Sequence, residues 1–312
     1  MCLKTGFYRA LIFLVISCPC ALVISIPLGY FGGIGAASRK GILFKGSNFL
    51  DLMTRVNTVV MDKTGTLTKG VFEVQKAVTM DGITTDWLSL AAAMESKSTH
   101  PIAKAITEYT KKQGGEISEP EQQEEIAGHG LKGKVNGKHV LIGNQKLMDK
   151  EGIVTCADAA EEVNTVIHIA VDQKYAGYLV IADELKEDAA QAINALHKSG
   201  VRELIMLSGD KNAVTQQVAK SLGIDKAFGD LLPEQKVEKV EELKKDTNRI
   251  IAFVGDGIND APVLALADVG MAMGGLGSDA AIETADVVIQ TDQPSKIATA
   301  IQIGKQTKRI VG

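Results

Sequence analysis

Apolar and polar positions alternate in three different styles along the chain. From Ala10 to Ser38 no residue is charged, and Arg9 and Arg39 bracket the run. A helix needs about 20 apolar residues to cross a bilayer core of about 30 Å, so this stretch predicts a transmembrane helix. A cleaved signal peptide is the alternative, with a shorter apolar region of about 7 to 15 residues and a small-residue cleavage site. Residues 40–53 then read as an amphipathic helical connection. A short buried strand is expected over 57–61.

Between about Glu73 and Ile181 the pattern becomes a helix pair followed by hairpins. A helix should start at Pro101, with Ser98 or Thr99 as its cap. Asn136-Gly137 signals one hairpin turn, and a second hairpin is expected over 166–181. The polar stretch 114–125 reads as a loop. Beyond Asp183, helices over 187–198, 212–222 and 234–245 alternate with strands over 203–207 and 250–254, and the short strands VGMAM and VVI follow. This alternation predicts an α/β fold with a doubly wound parallel sheet, interrupted by an inserted α+β domain. The expected divisions are 1–47 for the membrane helix and its helical extension, 48–72 and 182–292 for the sheet domain, 73–181 for the insertion, and 293–312 for a final helix.

The length of 312 residues allows two compact domains, or one plus membrane segments. A net charge of -4 with scattered Lys and Arg gives no basic stripe, which argues against nucleic acid. Four cysteines, Cys2, Cys18, Cys20 and Cys156, do not make the disulfide framework of a secreted domain and fit a reducing compartment.

Two of those cysteines change the picture. Cys18 and Cys20 flank Pro19 inside the apolar run. Proline removes a backbone donor, and a broken helix in a bilayer is tolerated where protein or a cavity satisfies the freed groups. Thiolates there favour Cu(I), Zn(II) or Cd(II) over Mg(II) or Ca(II). The bland alternative is a proline kink beside two small buried hydrophobes.

Chemistry also collects at the expected carboxyl ends of the strands. Asp62 follows one of them, Ser208-Gly209-Asp210 another, and Gly255 to Asp260 a third. Taken alone, Asp62 and its Thr and Gly neighbours could be an ordinary turn. Together the three clusters supply a nucleophile, carboxylates for a hard cation and donors for phosphate, the needs of Mg-assisted phosphoryl transfer. Asp62 is the candidate nucleophile, and Asp256 with Asp260 the candidate Mg(II) ligands. Lys236 is a candidate to neutralise the transferring group, or else a solvated helix residue.

The motifs DKTGTLT (62–68), PEQK (233–236) and GDGIND (255–260), with CPC in the apolar run and His100-Pro101 in the insertion, closely resemble those of heavy-metal-transporting P-type ATPases. The resemblance covers the chain from about Ala10 onward. It implies a haloacid-dehalogenase-like phosphorylation domain with an inserted nucleotide-binding domain. It further implies that ATP phosphorylates Asp62, with Lys63, Thr64, Ser208, Gly209, Asp210 and Asn259 around the phosphate. Asp62, Thr64 and Asp256 would hold Mg2+, and Glu95, His100, Gly128 and Gly130 would bind nucleotide. Cys18 and Cys20 would hold the transported metal. CPCALVISIP looks more like the zinc, cadmium and lead branch than the copper branch, whose members usually read CPCALGLATP. Serine stands at 208 where the family usually has threonine, and TGE, the actuator-domain motif, is absent.

The resemblance thus implies the carboxy-terminal half of an export pump in a cell membrane, with its catalytic domains cytoplasmic. Its partners would be ATP, the metal cation, the lipid bilayer, the missing actuator domain and the remaining membrane helices. Two other functions stay open. One is a Mg-dependent phosphatase of the nucleophilic-aspartate class, although Thr64 stands where such enzymes usually carry a second aspartate. The other is a non-catalytic metal-binding fragment.

Overall fold

Strand β2 (Thr58–Asp62) is apolar without alternation because both of its faces are covered. In the computed structural model, which describes residues 2–17, 23–255, 260–274 and 279–311, this strand lies near the middle of a seven-stranded sheet. Its parallel neighbours are β9 (Glu203–Leu207) on one side and β11 (Ile251–Gly255) on the other. Beyond β11 come β12 (Val269–Met273), β13 (Val287–Ile289) and β1 (Ile42–Phe44), and beyond β9 comes β10 (Lys226–Phe228). All pairings are parallel except β1 with β13. Val60, Ile205, Leu207, Ile251 and Phe253 pack with Val240 of the helix Pro233–Lys244 on one face. The last helix, Ser295–Val311, packs on the helices Ser25–Arg39, Ser47–Arg55 and Ala189–Lys198.

These elements belong to the larger of two compact units, formed by Met1–Leu67 and Lys186–Gly312. The smaller unit is Thr68–Leu185. Its six-stranded antiparallel sheet runs in the order β3 (Thr68–Thr79), β8 (Lys174–Leu185), β7 (Thr165–Val171), β6 (Lys138–Gly143), β5 (Gly130–Val135), β4 (Gln122–Ile126). The helices Trp87–Glu95 and Pro101–Lys112 contribute Trp87, Leu90, Met94 and Ile106 to its core. Asn136 and Gly137, at φ 49° and 75°, form the expected hairpin turn, and Asp172 and Gln173, at φ 49° and 65°, form the second.

Several sequence expectations are corrected. The expected edges of the insertion, 73 and 181, fall inside β3 and β8, which pair from Thr68 opposite Leu185. Residues 40–53 are not one helix. Gly41, at φ 77°, ends the helix Ser25–Arg39, and β1 follows with Ile42 and Phe44 buried on either side of exposed Leu43. The segment 114–125 is not wholly loop, because Gln122 begins the edge strand β4. His100 caps the second helix of the smaller unit, in place of Ser98 or Thr99, since its Nδ1 accepts the Ile102 N–H at 3.2 Å.

Within the apolar run the described helices are Cys2–Ser17 and Ser25–Arg39. No helix among the described residues is long and apolar enough to cross a membrane. Cys18, Cys20, Asp256 and Asn259 lie outside the described residues.

Candidate functional site

The carboxyl end of β2 delivers Asp62, and the first turn of the helix Pro233–Lys244 delivers Lys236. That helix starts where the sequence tells it to. Pro233 occupies its first position, and the Leu232 N–H is accepted by the Gln235 side chain at 2.8 Å. Lys236 Nζ then donates to Asp62 Oδ1 at 2.9 Å and reaches Asp260 Oδ1 at 3.4 Å. Asp62, Asp260 and Lys236 are all largely buried, so three charges share one small volume. Burial alone would push the Lys236 ammonium's pKa down. The carboxylates of Asp62 and Asp260 more than offset that, and the pKa is raised.

A second ion pair stands one strand away. Lys63, 2% exposed, meets Asp210 Oδ2 at 2.6 Å, and its N–H donates to Leu207 O at 3.0 Å, which carries the β2–β9 pairing past Asp62. Ser208 is buried, and its Oγ accepts the Asp210 N–H at 3.0 Å. Gly209 leaves little room for a side chain, since a Cβ there would lie 3.3 Å from Leu231 O. Thr64 is exposed, while Thr66 Oγ1 is buried with no hydrogen-bond partner among the described residues. At Gly255 a Cβ would approach Asp260 Oδ2 to 2.6 Å, so glycine lets this carboxylate lie against the strand end.

The donors here are carboxylates, hydroxyls and carbonyls, which suit a hard cation such as Mg2+. Among the described residues no three His, Cys, Asp or Glu side chains converge on a metal position. The expected ligands Asp62 and Thr64 are both in this region, and Asp256 lies outside the described residues. Of the expected phosphate residues, Lys63, Ser208 and Asp210 are brought together, and Asn259 lies outside the description. One participant was missed by sequence reasoning. Lys186, 8% exposed, donates to Gly65 O at 2.6 Å and to Asp292 Oδ1 at 3.1 Å.

The smaller unit holds a separate cavity of about 800 Å³. All four expected nucleotide residues, Glu95, His100, Gly128 and Gly130, line it. Gly128 sits at φ 71° and Gly130 at φ 144°, and a Cβ on Gly130 would lie 2.2 Å from Ile142 O. Only glycine meets both demands. Because His100 Nδ1 accepts the Ile102 N–H, the neutral ring carries its proton on Nε2.

Sequence reasoning missed Glu125 and Asn144 in this cavity. Asn144 Nδ2 donates to Gly128 O at 2.8 Å while its Oδ1 caps the helix Gln145–Lys150 through the Leu147 N–H. An asparagine between a strand and a helix was the available signal for a cap, though not for a cavity wall. Glu95 is pushed up to about 7, first by burial and then by the charge of Glu125.

Comparisons with known proteins give the family. The haloacid dehalogenase-like hydrolase family matches residues 56–268. A zinc-transporting ATPase of Synechocystis sp. is 56% identical over 306 residues, 97% of this chain and 42% of that protein. A cadmium, zinc and cobalt-transporting ATPase of Bacillus subtilis is also 56% identical, over 99% of this chain and 44% of its own length. The chain thus spans less than half the length of these relatives. A crystal structure of a zinc-transporting PIB-type ATPase in an E2.Pi state superposes with a TM-score of 0.85 at 35% identity, covering 98% of this chain and 50% of that one.

Proposed function

Because the chain belongs to the haloacid dehalogenase-like hydrolases, in the lineage of metal-transporting P-type ATPases, we propose that it is the catalytic half of an ATP-driven heavy-metal export pump. The observation that carries this reading is the buried Asp62–Lys236–Asp260 cluster at the end of β2. A carboxylate held in place by a neighbouring ammonium is a positioned nucleophile.

In the proposed reaction one Asp62 carboxylate oxygen attacks the γ-phosphorus of ATP. A new P–O bond forms, the bond to the β-phosphate oxygen breaks, and ADP leaves with the electron pair. Lys236, between two carboxylates, offsets negative charge as the phosphoryl group arrives. Lys63 with Asp210 and Ser208 frames the neighbouring strand end, where phosphate oxygens would be held. Mg2+, when bound by Asp62, Thr64 and Asp256, would polarise the phosphoryl group. Thr64 cannot act as a proton donor near neutral pH, so the acyl phosphate should persist, which suits a pump better than a phosphatase.

The cavity of the smaller unit would bind the nucleotide, with Gly128 and Gly130 admitting it close to the backbone and His100 and Glu95 contacting the base. The cargo would be Zn2+, Cd2+ or Pb2+ in preference to Cu+, taken by Cys18 and Cys20 within a membrane-embedded path, with the catalytic units on the cytoplasmic side. The zinc and cadmium transporters at 56% identity support that order.

Asp62→Asn is the test. Acid-quenched chain incubated with γ-labelled ATP and Mg2+ should carry a hydroxylamine-sensitive label, and the variant should carry none while still binding ATP. A variant that keeps the label would sink the reading. Stimulation by Zn2+ or Cd2+, and none by Cu+, would support the cargo assignment, and the reverse pattern would overturn it.

A further inference from the structure

Lys186 is the first residue after the smaller unit, and burial of a lysine ammonium at 8% exposure is costly unless its hydrogen bonds are made. They are made to a particular place. Its Nζ donates to the carbonyl of Gly65, three residues beyond Asp62, at 2.6 Å, and its backbone N–H donates to Leu67 O at 2.9 Å. One residue therefore grips the loop after Asp62 at two carbonyls. Gly65 sits at φ 74°, so this loop has an unusual backbone shape to maintain.

The ammonium is held from its other side by Asp292, at 3.1 Å, a residue that itself adopts a left-handed φ of 54°. Next to this pair, the Ser295 N–H donates to Asp188 Oδ2 at 3.0 Å, which ties the start of the last helix to the same stretch of chain as Lys186. The last helix in turn packs on Ser25–Arg39.

We propose that Lys186, oriented by Asp292, is a positioning residue that fixes the loop 63–67 in the shape that lets Asp62 accept a phosphoryl group. This deepens the phosphoryl-transfer reading and rests on it. The described contacts of Lys186 run to Gly65, Leu67 and Asp292. Its effect is on geometry, where a misplacement of about 1 Å costs up to roughly 100-fold in rate.

The test uses the whole chain, labelled by γ-labelled ATP with Mg2+ in a single turnover. Lys186→Met should slow labelling at saturating ATP by roughly 10- to 100-fold and leave half-saturating ATP unchanged. Lys186→Arg should recover most of the rate. Hydrogen exchange at the Leu67 amide, which donates to Lys63 O at 3.0 Å, should rise in the methionine variant. Asp292→Asn keeps the fold accessible to test if Lys186→Met does not fold, because Asp292 is 46% exposed, and it should slow labelling by a smaller factor in the same direction. Labelling within twofold of wild type in Lys186→Met, or in Asp292→Asn where the first variant is unfolded, would overturn the proposal. A wild-type chain that takes no label would overturn the phosphoryl-transfer reading, and this one with it.

Discussion

The two units bury charge in opposite ways. In the larger unit Asp62, Asp260 and Lys236 are packed together, so each buried charge has an opposite neighbour, and the same holds for Lys63 with Asp210. In the smaller unit Glu95 is half-buried near another carboxylate, Glu125, and its pKa climbs to about 7. The neighbouring carboxylates raise the pKa of the Lys236 ammonium, whereas burial and a like charge bring the Glu95 carboxyl close to neutrality. The same chain thus pairs opposite charges at the end of its central strand and leaves two like charges near each other in the cavity of the smaller unit.

Removing the shared cation breaks the comparison most severely. Lys236→Met leaves Asp62 and Asp260 buried without it, and breaking a buried pair in this way costs about 3–5 kcal/mol. Calorimetry at neutral pH should show a matching fall in the thermal midpoint of the larger unit, together with loss of labelling.

Glu95→Gln should act in the other direction. The folded pKa of Glu95 is raised from 4.5 to about 7, so the folded unit binds the extra proton between those values. Wild-type stability therefore falls as pH rises through that window, and the amide escapes the loss. The gain should be up to about 3 kcal/mol at pH 8 and vanish near pH 4.5. Urea midpoints at the two pH values would measure it, and a pH-independent difference would refute the assignment.

The smallest effect is a control away from both charge clusters. Asp86 caps the helix Trp87–Glu95 by accepting the Ser89 N–H at 3.2 Å. Asp86→Ala should cost about 1 kcal/mol in the same urea measurement, with little change in nucleotide binding.

The strand ends were legible in sequence because apolar runs stop at carboxylates and glycines, residue types that form turns. Asp62 and Ser208 to Asp210 follow strand ends as that pattern predicts, and Lys236 lies in the first turn of a helix opened by Pro233. Lys186, Glu125 and Asn144 were not legible. Each is one polar residue whose partner is remote or whose local reading is ordinary: Lys186 reaches Gly65 and Asp292 across the chain, and Asn144 looks like any helix cap. The strand β1 was mistaken for helix because only three residues pair, and the partner that makes them a strand, β13, comes near the end of the chain. Local pattern carries the elements that satisfy themselves locally, and misses those defined by a distant neighbour.

The pairing of Thr68 with Leu185 also bears on how the protein reaches its native state. Strands β2 and β9 are adjacent in the sheet, yet the whole smaller unit lies between them in the chain. Joining them directly would require closing a long disordered loop, at an entropic cost that grows with its length. Once the insertion has folded, its two ends stand a single strand pairing apart and the effective loop becomes short. That topology favours an order in which the smaller unit forms first and the central sheet closes after it, and pulse-labelled hydrogen exchange that protects β2 and β9 before the smaller unit would refute that order.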